Sequence, residues 1–115
     1  MKPKILIVED CVLLAMDLAE LVQRDLEAEA VMAMNIKDAL RAANDNVTLA
    51  FLDIELPDGE SYPIARTLMT MGVPFIFISA NESASLPDDL TEVPFLPKPV
   101  VPSRLIGLAK ALVES

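Results

Sequence analysis

Four places along the 115-residue chain carry side chains suited to phosphate or metal chemistry. Glu9 and Asp10 close the apolar run "KILIVE", Asp53 closes "VTLAFLD", Ser79 closes "VPFIFIS", and Lys98 follows "VPFLP". Three carboxylates drawn to one point repel each other and raise their pKa values unless a cation intervenes. A hard divalent ion is the natural remedy, since Mg²⁺ takes a few carboxylates and keeps several waters. A metal, an ammonium and a hydroxyl around an acceptor carboxylate are the parts that phosphoryl transfer needs, because charge develops on the equatorial oxygens. The carboxylate can itself be the nucleophile and become an aspartyl phosphate.

Each residue alone has an ordinary explanation. An aspartate after a strand starts turns, an acidic pair complements a helix N-terminus, and a lysine before proline is a solvated charge. Their common location decides between the two readings. Short β-branched runs, the pattern of strands covered on both faces, alternate with stretches of helical periodicity. Strands are expected at 4–9, 28–34, 47–53, 73–79 and 93–97. Helices are expected at 12–26, 35–44, 61–72 and 102–114. Asn35 is placed as an N-cap with Asp38 three residues on, Pro63 lies in a first turn and Gly72 is a stop. Between Ser79 and Val93, Pro87 and a thin apolar stripe predict a short or irregular fourth helix. This order gives an α/β fold, an open parallel sheet with helices on both faces. Right-handed crossovers bring the strand C-termini to one edge, where such folds bind ligands.

Composition removes other chemistries. The chain has no histidine, so imidazole catalysis, histidine metal ligands and a Ser-His-Asp triad are excluded. Three glycines, in no phosphate-loop spacing, argue against a nucleotide held by a glycine-rich loop. A net charge of −9 argues against nucleic acid as a partner. One cysteine, Cys11, points to a reducing, cytoplasmic setting; it reads as a small buried hydrophobe. No stretch approaches the length of a membrane span, and the N-terminus is too short for a signal peptide.

The segments "ILIVED", "LAFLDIELPDGES", "IFISA" and "FLPKP" together resemble the signature of the response-regulator receiver domain of two-component signalling, over residues 1 to 115 as one domain. The resemblance implies a five-stranded flavodoxin-like sheet of order 2-1-3-4-5. It implies that Asp53 is the phosphoacceptor and that Glu9 and Asp10 hold Mg²⁺, with Asp53 and the backbone carbonyl of Glu55 completing the protein's ligands. Ser79 would bind a phosphoryl oxygen, Lys98 would pair with the phosphate through a loop with a cis Lys98–Pro99 bond, and Phe95 would be the aromatic switch. Glu55 and Asn81 would flank the attacking water and tune hydrolysis. The sequence departs from the family's commonest pattern in having Glu-Asp as its acidic pair, serine at 79 and a phenylalanine without hydroxyl at 95.

On this reading the chain takes a phosphoryl group from a sensor histidine kinase or a histidine phosphotransfer protein. It then signals to a downstream protein by contact, as a stand-alone regulator, a relay or a phosphate sink, with no enzymatic turnover of its own. Homodimerisation through the face of strands four and five is open to it. The first helix opens "VLLAM", read mainly as core with residual exposure suited to a kinase helical bundle. Two alternatives stand beside it. An aspartate-nucleophile phosphatase would want a second aspartate where Glu55 stands; a phosphate-independent binding module would have no need of the five polar residues.

Overall fold

The computed structural model describes residues 2–80 and 86–114. Among the described residues, seven strands and four α-helices follow one another as β1 (Lys4–Val8), α1 (Val12–Asp25), β2 (Glu29–Ala33), α2 (Ile36–Ala43), β3 (Leu49–Asp53), β4 (Glu55–Leu56), β5 (Gly59–Glu60), α3 (Tyr62–Met71), β6 (Phe75–Ser79), β7 (Phe95–Pro97) and α4 (Pro102–Glu114). Five strands make one parallel sheet of order β2-β1-β3-β6-β7, while β4 and β5 form a separate antiparallel hairpin. With the hairpin set aside, this is the expected 2-1-3-4-5 order.

The central strands earn their continuous apolar character by being covered on both sides. Every residue of β3 and β6 is buried. Alternation divides them between two cores. Ile5, Ile7, Leu49, Phe51, Ile76 and Ile78 pack against α1 and α4, and Leu6, Val8, Ala50, Leu52, Phe75 and Phe77 pack against α2 and α3. Each large side chain buried this fully contributes about 1.5–3 kcal/mol. The edge strand β2 is half-exposed, which is why its alanines and glutamate suffice.

Local signals set the ends of the elements. The Asn35 side chain accepts from the Asp38 amide at 2.8 Å and so caps α2. In place of a reciprocal capping box, the Asn35 amide group donates to the Asp38 carboxylate at 3.1 Å. Gly72 stops α3 in the left-handed conformation, φ 72°, with its N–H turned back to the helix. Between β6 and β7 the described residues hold a single 3₁₀ turn, Asp88–Leu90, anchored by the fully buried Leu90. A paired contact from Arg66 on α3 to Asp89, at 3.0 and 3.3 Å, ties down that turn. The helix expected between Ser79 and Val93 is thus, among the described residues, only this short turn.

Two expectations need correction. Cys11 is exposed, because it is the N-cap of α1 and stands above the sheet edge. On α1, Val12, Leu13 and Met16 are 51%, 75% and 53% exposed. Only Ala15, Leu18, Ala19, Leu21 and Val22 of this helix are buried, so the opening turn is mostly a surface.

Candidate functional site

β1, β3 and β6 run parallel and in register, with Val8 beside Leu52 and Asp53 beside Ile78. The residues at or just after their C-terminal ends therefore meet at one edge. Glu9, Asp10 and Asp53 each offer a carboxylate oxygen, all within 4.8 Å of one another. Asp10 is exposed, whereas Glu9 and Asp53 are buried at 3% and 9% exposure.

Lys98 reaches this trio from the end of β7. Its Nζ lies 2.6 Å from Glu9 Oε1 and 3.1 Å from Asp53 Oδ2. The other Glu9 oxygen accepts the Cys11 amide at 3.2 Å, at the start of α1. It is Glu9, rather than Asp10, that bonds the amide of this helix's N-cap residue. Glu9 thus has both oxygens engaged, while Asp10 and Asp53 line the pocket. The Lys98 amide donates to the Ser79 carbonyl at 3.0 Å, so the ammonium and the Ser79 hydroxyl are carried on hydrogen-bonded strand ends. The Lys98–Pro99 bond is cis.

Burial alone would push the Lys98 ammonium down. Hydrogen bonds to Glu9 and Asp53, with their charges, outweigh it and hold the group above its ordinary value of 10.5. Counted formally, one ammonium against three carboxylates leaves the cluster at −2. That donor set, all oxygen and mostly desolvated, fits a hard divalent cation.

Asp10, Asp53, Glu55, Ser79, Ala80 and Lys98 line a shallow pocket with Leu56 and Pro57 as its apolar wall. The Glu55 side chain is exposed. Phe95 is half-buried against the α2–α3 core and pairs with Phe77 across β6 and β7. Asn81 lies outside the described residues.

No protein-family model matches the chain, and no curated protein sequence does. Solved structures match it closely. The solution structure of SdrG from Sphingomonas melonis Fr1 is 30% identical, with 97% of each chain covered and a TM-score of 0.81. The response regulator REC domain of PhyR from Erythrobacter litoralis is 26% identical over 98% of this chain and 91% of that one, TM-score 0.85. A CheY-like response regulator receiver domain from Methylobacillus flagellatus is 24% identical over 97% and 99%, TM-score 0.82. The chain belongs to the response-regulator receiver family.

Within this receiver, sequence reasoning missed the β4–β5 hairpin. It also missed Asp58, whose carboxylate accepts the amides of Ile36 at 2.9 Å and Lys37 at 3.4 Å. A Pro-Asp-Gly run, here residues 57–59, does signal a turn. Nothing in it names a partner 22 residues earlier in the chain. Ser61 was likewise unremarked; its hydroxyl is buried and has no hydrogen-bond partner among the described residues.

Proposed function

We propose that residues 1 to 115 act as one phospho-accepting receiver in which Asp53 takes a phosphoryl group, with Mg²⁺ as cofactor. The observation that carries this reading is the meeting of three carboxylates, Glu9, Asp10 and Asp53, with an ammonium bonded to two of them. An oxygen of Asp53 forms a bond to phosphorus as the donor's P–N bond breaks, or the P–O bond of a small acyl phosphate. Asp10, Asp53 and the Glu55 carbonyl would hold the metal, with Glu9 beside them. The ion supplies charge neutralisation for the transferring group.

The remaining steps belong to the chain. Asp53 is held by Lys98 in a fixed orientation, which prepositions the nucleophile. Once phosphorylated, the acceptor carries new negative charge, and Lys98 shifts its pairing from Glu9 toward it. The Ser79 hydroxyl donates to a phosphoryl oxygen, drawing the end of β6 inward. Phe95, beside Phe77, follows that movement and alters the surface around β7. Glu55, and by the family resemblance Asn81, would tune the rate at which water later hydrolyses the anhydride.

Partner choice follows from the surface. Val12, Leu13 and Met16 expose apolar area beginning two residues after Asp10. A histidine kinase or phosphotransfer protein would cover it while presenting phosphohistidine to Asp53. Readout by a downstream protein, in the cytoplasm, completes the reading; no helix of the described residues is long and apolar enough to cross a membrane.

The test is intact-protein mass after incubation with acetyl phosphate and Mg²⁺. One added phosphate is expected, lost in Asp53→Asn and on chelation of the metal. No addition with acetyl phosphate, and none from phosphohistidine donors, would refute the reading.

A further inference from the structure

The wall of the pocket is an unusually small element. β4 and β5 have two residues each, and Glu55 and Glu60 face one another as a directly opposed like-charged pair. A two-stranded hairpin is marginal by itself, and opposed carboxylates weaken it. Something outside must hold it.

Leu56 is buried in the α2–α3 core, and Asp58, at the turn, supplies a polar anchor. Its two carboxylate oxygens accept the Ile36 and Lys37 amides, the first two of α2, which have no partners inside the helix. The third, Asp38, is taken by Asn35. Two side chains thus divide the start of α2, one local and one from the hairpin. These amides, that of Ile36 foremost, hold the Asp58 carboxyl below its ordinary value of 3.8. Packing repeats the contact. Gly59 has φ 136°, and a Cβ there would stand 3.3 Å from Ile36 Cδ1.

We infer that Asp58 is a positioning residue for the cation site, fixing the hairpin, and with it Glu55, against the N-terminus of α2. The inference rests on the metal reading given above. Asp58 lies five residues beyond Asp53 and touches neither the acceptor nor the pocket; it acts through the backbone between Glu55 and Gly59. Supporting groups of this kind change metal affinity when removed. Because linkage is reciprocal, a cation bound at the site must also tighten the Asp58 contacts to α2.

The experiment uses Mn²⁺ as the probe, its free ion counted by electron paramagnetic resonance, on the whole chain. Asp58→Ala is expected to bind Mn²⁺ about tenfold more weakly, and Asp58→Asn, which keeps one acceptor oxygen, to fall between. Asn35→Ala removes the other cap of the same helix and is expected to leave Mn²⁺ affinity unchanged. In the wild type, Mg²⁺ is expected to slow hydrogen exchange at the Ile36 and Lys37 amides more than at Asp38. Equal affinity in wild type and Asp58→Ala overturns the inference, as does an equal loss in Asn35→Ala. Should Asp58→Ala fail to fold, exchange in the wild type decides, and amides indifferent to Mg²⁺ overturn it. Wild type that binds no Mn²⁺ overturns the metal reading and this inference together. Binding lost in Asp10→Asn but kept in Asp58→Ala overturns the inference alone.

Discussion

Lys98 Nζ stands 2.6 Å from Glu9 Oε1, a contact between residues 89 apart in sequence, with the Glu9 side chain 3% exposed and the Lys98 side chain 22%. It joins the first and last strands of the chain across β3 and β6, and makes Glu9 the holder of the lysine.

Removal of the ammonium leaves Glu9 and Asp53 facing each other without compensation. Lys98→Met is expected to lose about 1–3 kcal/mol of stability at neutral pH without metal, the cost of stranding a buried polar group, reduced by solvent reaching Lys98. Mg²⁺ should raise the variant's midpoint in urea more than the wild type's, since the more negative site binds it more tightly. Equal shifts would show that the ion does not sit among these carboxylates.

The same pair sets an alkaline limit. Lys98 has a folded-state pKa above its ordinary 10.5, despite the opposing pull of burial. Its contribution is therefore fully present below about pH 10.5 and is lost as pH rises through the higher folded value. The stability gap between wild type and Lys98→Met should be constant through neutral pH and shrink above that point. Urea titrations at a series of alkaline pH values measure it, and a gap that stays constant there contradicts the assignment.

Gly59 cannot be replaced cheaply. At φ 136° an L side chain is strained by about 1–3 kcal/mol, and Ile36 must also yield. Gly59→Ala is expected to lower stability by that amount, read from chemical denaturation. A neutral substitution would mean that the hairpin turn can rearrange.

Ser61 reverses the usual rule for its position. An N-cap serine replaced by alanine ordinarily costs about 1 kcal/mol. Here the hydroxyl makes no capping bond and is buried without a partner among the described residues. Ser61→Ala is expected to be neutral or stabilising by up to about 1 kcal/mol. Thermal melts compare the two, and a loss of stability would reveal a bond to this hydroxyl.

Much of the architecture was written locally. Strands β1, β3 and β6 are continuous apolar runs because both faces are covered, and Asn35, Gly72 and Pro63 carry their cap and turn chemistry wherever the chain goes. Given alternating strands and helices, right-handed crossovers leave one edge at which Glu9, Asp10, Asp53, Ser79 and Lys98 can gather. What depends on neighbours distant in sequence was not written there. Asp58 reads as a turn residue until α2 lies beneath it. Cys11 and Leu13 read as core until the helix face is fixed by α4 and the sheet. Residue type and spacing determined the elements, their order and the set of polar strand ends, because these follow from propensity, periodicity and chirality along the chain. The tertiary structure alone decided that Glu9 holds Lys98, and which helix anchors the acceptor's loop. Those bonds are selected by the relative placement of packed elements, and that placement is a property of the whole fold.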